Sequence, residues 1–328
     1  MARIPPPELS AWPVEEVTIT KNIKGTNNWT LLLDTEHGQR VLRLYRTPDR
    51  ERITEEHLLL QALNRAQLPF AVPTPFPTTT GSTTTRLSWP DRTVLAALFP
   101  LLPGQPPMAG NPAHAAACGH ALGHLHTAMA RLPDSFRSSH AFPPINRVDP
   151  LVPDPANAEA KLDPGRTRSR QLAHVMENLM ADDERAEIPP SQVIHADLFA
   201  SNLLVHHDTV SAVLDFEYAG LGPTMMDVAI ATLSICLTPP DRASRWELTR
   251  SLAAGYATVH PLPRSAAAHV PRLLRRREAT SLINRIGRHR KGEITIGELR
   301  RRATRLIELD DWLTTNADQL TRSLTAPG

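Results

Sequence analysis

One stretch constrains this chain more than any other: VIHADLFASNLLVHHDTVSAVLDFEYAG, from Val193 to Gly220. Leu203-Leu204-Val205 and the run from Ser211 to Leu214 have the length and β-rich composition of two short strands, and His207-Asp208-Thr209 supplies the turn between them. Val193-Ile194 reads as an apolar strand end and His195 to Asn202 as a loop. An antiparallel hairpin reverses the chain, so this reading predicts Asn202 beside Asp215, with Asp197 facing the same point from the loop. Carboxylate and amide oxygens converging in this way suit a hard cation such as Mg²⁺, which uses few protein ligands and completes its shell with phosphates and water. A carboxylate not used for metal can take the proton of an attacking hydroxyl. These are the minimal parts of phosphoryl transfer, in which positioning and charge neutralisation supply most of the catalysis.

The rest of the chain organises around that island. VTIT (Val17 to Thr20), WTLLLD (Trp29 to Asp34) and RVLRLYR (Arg40 to Arg46) predict three strands, with turns at Asn27-Asn28 and Glu36 to Gln39; a helix follows over Ile53 to Ala66, then strands over Thr83 to Trp89 and Thr93 to Phe99. That order describes a small antiparallel sheet carrying one helix. At Phe99 to Gly104 prolines and a glycine interrupt the apolar run and helical periodicity takes over. Residues 1–100 are therefore expected to form an N-terminal lobe and 101–328 a larger, mainly helical C-terminal lobe, an α+β architecture. Helices are predicted over Ala113 to Arg131 and Arg168 to Asp183, separated by a Pro-rich irregular excursion over Pro133 to Gly165, with later breaks at Pro239-Pro240, Pro261 to Pro263 and Lys291-Gly292. A chain of 328 residues has room for either two domains or one bilobed unit.

Composition removes several classes. The formal charge of +2 gives no global basic field of the nucleic-acid-binding kind, and Cys118 and Cys236 are too few for a disulfide framework or a cysteine zinc site. No run of about 18 apolar residues occurs and the N-terminus lacks an apolar signal core, so the expectation is a soluble, cytoplasmic protein without a membrane partner. The basic residues are almost all arginine; the lysines are Lys21, Lys24, Lys161 and Lys291.

H-x-D-x-x-x-x-N followed across a hairpin by D-F-E resembles the catalytic and metal-binding loops of the protein-kinase-like fold in its aminoglycoside phosphotransferase and choline kinase branch, which includes homoserine kinase-like enzymes. YAGLGPTMMDVAIA, from Tyr218 to Ala231, is similar to the segment that replaces the protein kinase activation loop in that branch. The resemblance implies a bilobed kinase-like fold and an ATP- and Mg²⁺-dependent transfer to the hydroxyl of a small-molecule alcohol. It implies Asp197 as catalytic base, Asn202 and Asp215 as metal ligands, His195 as support for the loop backbone and Asp227 as its brace. In the N-terminal lobe Gly25 falls in the phosphate-covering hairpin, and Ala97 to Pro100, with Ala97 and Phe99, in the adenine-facing hinge. Arg43 stands where the family's phosphate-anchoring lysine is usual, with Glu56 as its acidic partner and Glu55 as the adjacent alternative. A guanidinium keeps the charge and can bind phosphate bidentately, but it is longer and planar.

Other features have plainer readings. His120, His124 and His126 place two histidines at helical spacing, yet with no carboxylate between them and no nearby cysteine, packing or capping is the better account. The arginine-rich run from Arg264 to Arg305 has interleaved Leu273, Leu274, Leu282, Ile283 and Ile286, which predicts the outer face of packed helices and no nucleic-acid partner. Its basic character disfavours a polycationic acceptor, so a homoserine-like amino acid or a sugar is expected over an aminoglycoside. The alternatives are a nucleotide-binding pseudokinase and an antibiotic phosphotransferase. Oligomeric state leaves no signature in this sequence.

Overall fold

A computed structural model describes residues 6–14, 17–24, 28–46, 49–89, 92–137, 141–158, 167–185, 192–238 and 244–326. Gly25, Asn27, the Pro239-Pro240 break and the end of the Pro-rich excursion lie outside them. The chain divides into two compact units, 1–105 with 203–217, and 106–202 with 218–328.

In the first unit, β1 (Val17–Lys24), β2 (Asn28–Thr35), β3 (Gly38–Tyr45), β4 (Thr85–Trp89) and β5 (Arg92–Pro100) form an antiparallel sheet in the order β1-β2-β3-β5-β4. Side chains alternate across a strand, and one face buries Leu31, Leu33, Leu42, Leu44, Ala96 and Leu98, with Leu9 and Trp12 of an N-terminal 3₁₀ turn in the same cluster. The opposite face carries Arg43, whose register partners are Thr30 on β2 and Ala97 on β5. Helix α1 (Arg50–Arg65) follows; the Asp49 carboxylate accepts from the Arg52 N–H at 3.2 Å as its N-cap, and Ile53, Glu56, His57, Leu59, Leu60 and Leu63 are buried.

The hairpin β7 (Leu203–His206) and β8 (Thr209–Val213) belongs to this unit, although the sequence reading assigns all of 101–328 to the other lobe. The reason is backbone pairing. Ala71 donates to the Ser211 carbonyl at 2.9 Å and accepts from Val213 at 3.0 Å, while Gln105 and Val205 exchange bonds of 3.0 and 2.7 Å. Gly104 makes that approach possible. Its φ is +130°, and a Cβ there would stand 2.5 Å from Ser211 Oγ and 2.9 Å from Leu204 Cβ.

The second unit contains α2 (Pro112–Ala130), α3 (Thr167–Arg185), β6 (Gln192–Ile194) paired antiparallel with β9 (Gly220–Gly222), and α4 (Thr224–Ala231), which runs into a π-helical turn over Thr232–Leu237. Then come α5 (Arg245–Ala257), the single turn α6 (Arg264–Ala267), α7 (Val270–Arg290) and α8 (Ile296–Thr325). Helices α2 and α5 approach through Gly119 and Gly255: a Cβ at either would meet a backbone carbonyl oxygen of the other helix at 1.9 Å. A core from α3, α7 and α8 includes Leu172, Met176, Leu282, Ile283, Leu306 and Ile307. No helix of the described residues is long and apolar enough to cross a membrane.

The arginines of α7 are largely committed within the unit. Arg272 pairs with Asp182 at 2.8 Å, Arg275 with Asp310 at 2.6 Å, and Arg276 with Asp183.

Candidate active site

The first unit brings together Arg43, Glu56 and Asp215. Period-two alternation on β3 sends Arg43 to the face opposite Leu42 and Leu44, where Nη1 donates to Glu56 Oε1 at 2.9 Å and Nη2 reaches Asp215 Oδ1 at 3.4 Å. The guanidinium lies 5.3 Å from the Phe99 ring centroid. Burial disfavours its charge, but Glu56 and Asp215, with smaller contributions from Tyr45 and Glu217, outweigh burial and hold Arg43 above the ordinary arginine value. Burial also pushes the Glu56 carboxyl up; Arg43 draws it back, and Asp215 and Glu217 add to the rise. Glu56 is buried and Glu55 exposed, which decides between the two acids the sequence left open.

Asp215 sits at φ +65°, in the left-handed region a non-glycine residue rarely adopts. The next two residues fix it: the Phe216 side chain is buried, Glu217 Oε2 accepts from Asn28 Nδ2 at 2.9 Å, and the Glu217 carbonyl accepts from Arg52 Nη2 at 2.9 Å. Ala97 and Phe99 lie on β5, both buried. Behind Arg43, Tyr45 and His57 share a 3.0 Å hydrogen bond, and His57 Nδ1 contacts Thr83 Oγ1 at 2.7 Å. Burial, with Arg43 nearby, pushes His57 down to about 4, so it is neutral at physiological pH.

The second unit brings together His195, Asp197, Asn202 and Asp227. The Asp227 carboxylate, wholly buried in the first turn of α4, accepts the Ala196 N–H at Oδ1 (2.7 Å) and the His195 N–H at Oδ2 (2.8 Å), and Oδ2 also meets His126 Nε2 at 3.2 Å. Ala196 has φ +66°, so the turn that points Asp197 outward is a strained one held by that carboxylate. His195 Nδ1 accepts the Asp197 N–H at 3.2 Å. Asn202 Nδ2 donates to the Asp197 carbonyl at 2.8 Å and to its Oδ2 at 3.1 Å. With its amide nitrogen so engaged, Asn202 has its side-chain oxygen left to offer. An amide oxygen, like that of Asn202 in this unit, and a carboxylate, like that of Asp215 in the first, are each a kind of donor that Mg²⁺ accepts. Among the described residues no three His, Cys, Asp or Glu side chains form a metal site of their own.

His126, expected to serve in packing or capping, is buried against Tyr256 and also bridges Asp227 and, through Nδ1, the Tyr256 hydroxyl at 3.0 Å. Arg277, treated as one arginine in a basic run, lies with Nη2 3.9 Å from Asp197 Oδ1. Arg277 left no signal in the sequence, because only the packing of α7 brings it to the loop. His120 and His124 contact each other at 3.1 Å (Nε2 to Nε2), and His120 Nδ1 contacts Thr258 Oγ1 at 2.7 Å.

Comparison with known proteins gives concordant results. A model of the phosphotransferase enzyme family matches residues 18–269. A homoserine kinase of Methylobacterium radiotolerans is 30% identical over 277 residues, covering 81% of this chain and 79% of the relative. One of Pseudomonas aeruginosa is 30% identical over 253 residues, 77% and 75% of the two chains. Among solved structures, a microcompartment-associated aminopropanol kinase superposes with TM-score 0.71 at 22% identity, over 97% of each chain. An amicoumacin kinase, solved with AMP-PNP, Ca²⁺ and Ami, gives 0.67 at 15% identity, over 93% and 91%. These structures share the fold, an antiparallel sheet portion and a helical portion of protein-kinase-like type. The matched segment spans every loop described above, and the chain belongs to the phosphotransferase enzyme family, as a small-molecule kinase that transfers to a hydroxyl.

Proposed function

We propose that this protein is an ATP- and Mg²⁺-dependent kinase of a small hydroxylated metabolite, a homoserine-like amino acid or a sugar in preference to an aminoglycoside. The observation that carries the reading is the wiring of the Asp197 loop, in which an imidazole and an amide fix Asp197 itself and a buried carboxylate fixes the backbone of the two residues before it. A surface carboxylate needs no such support; a base that must meet a hydroxyl in one geometry does. The relatives named homoserine kinases support the amino-acid acceptor.

In this proposal Asp197 accepts the acceptor's hydroxyl proton as that oxygen bonds to the γ-phosphorus. The bond from the γ-phosphorus to the bridging oxygen breaks, and ADP departs with the electron pair. Asn202, engaged with Asp197 through its amide nitrogen, and Asp215 would hold Mg²⁺, which supplies neutralisation of phosphate charge. Arg43 adds a second positive charge for the phosphates, and Glu56 keeps its guanidinium oriented. The end of β5, Ala97 to Pro100, is assigned to the adenine. Asp227 and His195 position the loop without touching substrate.

The test is kinetic. Asp197→Asn should retain nucleotide binding and lose at least about 10²-fold in turnover, the usual scale for a positioned base. Asp215→Ala should weaken Mg²⁺-dependent ATP binding in calorimetry. Two variants indistinguishable from wild type would remove the assignment.

A further inference from the structure

Arg277, on α7, approaches Asp197 from outside the catalytic loop. Its Nη1 donates to Glu278 Oε1 at 2.6 Å, and its guanidinium lies over the Phe199 ring, 4.4 Å from the centroid. The loop under that ring is fixed as well, because the Ala200 N–H donates to Ser234 Oγ at 2.8 Å. One edge and one face of the guanidinium are therefore anchored, while the Nη2 edge points along the base. At 3.9 Å from Asp197 Oδ1 it is outside hydrogen-bond distance.

Charge balance separates this cluster from the rest of α7. Arg272, Arg275 and Arg276 each have their own aspartate. At Glu278, by contrast, three guanidiniums share one buried carboxylate: Arg277, Arg305 at 3.3 Å and Arg302 at 3.8 Å. Arg285 adds a fourth positive charge, and burial together with Arg302 and Arg277 holds it below the ordinary arginine value against the pull of Glu298. Arg302 is lowered too, by burial first and by Arg305 and Arg277, against the pull of Glu278. Glu298 acts on Arg285 and Arg302 as well, so four guanidiniums face Glu278, Glu298 and, at Arg277, Asp197 itself; the positive charge left over is what a bound anion would neutralise.

We propose that Arg277 is a specificity-determining residue that receives the carboxylate of the acceptor on its Nη2 edge and thereby delivers the acceptor's hydroxyl to Asp197. The acceptor is then a small hydroxy acid or hydroxy amino acid and not an uncharged sugar. This rests on the assignment of Asp197 as base and narrows the acceptor class left open above.

L-Homoserine and 3-amino-1-propanol differ only by the carboxylate, and 4-hydroxybutyrate keeps the carboxylate without the amine. ADP release is measured for the full chain with MgATP and each of the three, alongside ribose, for wild type, Arg277→Gln and Arg277→Lys. The expected result is a wild-type preference for the two carboxylates. In Arg277→Gln their KM should rise about 10- to 100-fold, the scale of one charge-assisted contact, with a much smaller change in kcat, and Arg277→Lys should recover part of it. Equal use of 3-amino-1-propanol and L-homoserine by wild type would overturn the proposal while leaving the kinase assignment intact. So would a kcat loss in Arg277→Gln common to every acceptor, which is the signature of a structural role. If no acceptor turns over, the proposed acceptor class falls, and calorimetry with L-homoserine decides the subsite: binding abolished by Arg277→Gln supports it, and no binding to wild type refutes it.

Discussion

Replacing Asp227 by asparagine tests whether the buried carboxylate holds the Asp197 loop in its strained turn. Asp227 accepts two backbone N–H groups, of His195 and Ala196, at 2.8 and 2.7 Å, one on each oxygen. Asparagine has nearly the same shape but a single acceptor oxygen, so its NH₂ must face either the Ala196 N–H or the His195 N–H, the second with His126 beside it. The substitution loses one charge-assisted bond and leaves one buried N–H opposed by another donor. At about 1.5–3 kcal/mol for the first and 1–3 for the second, discounted for local relaxation, the cost is about 2–4 kcal/mol. For a chain of 328 residues that is a fall in Tm of about 3–6 °C. Asp227→Ala should cost more, because both N–H groups lose their acceptor, and it approaches the whole stability of a typical domain, about 5–15 kcal/mol. The functional effect should be larger than the thermal one. Ala196 at φ +66° is free to relax once its N–H is released, and a displacement of Asp197 by about 1 Å costs on the order of 10²-fold in turnover. Differential scanning fluorimetry and steady-state kinetics on Asp227→Asn read the two effects separately. His126→Gln is the internal comparison: it removes the third partner but neither backbone bond, so its Tm should fall by less. An Asp227→Asn protein with wild-type Tm and kcat would refute the reasoning.

Two further outcomes follow from the first unit. His57 is pushed down to about 4, against about 6.5 in an unfolded chain, so between those values the unfolded state binds a proton that the folded state refuses, and stability falls as pH falls. Urea titrations at pH 7 and pH 5 should show wild type losing about 2 kcal/mol more than His57→Gln on acidification, and parallel losses would disprove the assignment. Arg43→Met should destabilise by about 3–5 kcal/mol because it leaves Glu56 buried without its cation, whereas Arg43→Lys should retain most of that pairing; equal losses in the two variants, read by urea denaturation, would show that Glu56 is not the partner that matters.

What was legible in the sequence follows the range of the interactions involved. The strands of the sheet, α1 and the hairpin after Asn202 depend on local periodicity and turn residues, so their existence and order could be read directly. The loop from His195 to Asn202 could be read from spacing because its internal bonds, Asn202 to Asp197 and Asp197 to His195, are themselves local. The assignment of 203–217 to the first unit could not, because it depends on Ala71 and Gln105 pairing with strands about a hundred or more residues away. Arg277 was invisible for the same reason. A run of arginines has one appearance in sequence, whether each has an aspartate or three crowd one glutamate.

The scarcity of lysine also takes on a different meaning. A lysine in place of Arg43 would bring one nitrogen to this face of the sheet, and its three donors could serve Glu56 and Asp215 together only if both carboxylates lay within reach of that one atom. The guanidinium brings two, Nη1 to Glu56 at 2.9 Å and Nη2 towards Asp215 at 3.4 Å, and so ties the helix α1 acid to the residue after β8 through a single planar group. The longer contact is the weaker one, and the Asp215 side chain is about a third exposed, so this is the contact that a phosphate oxygen could replace at least cost. Arg43 thus combines a permanent anchor on Glu56 with an exchangeable one on Asp215. That combination uses two nitrogens held apart in one rigid plane, and it makes arginine at this position a different solution from lysine and not a conservative variant of it.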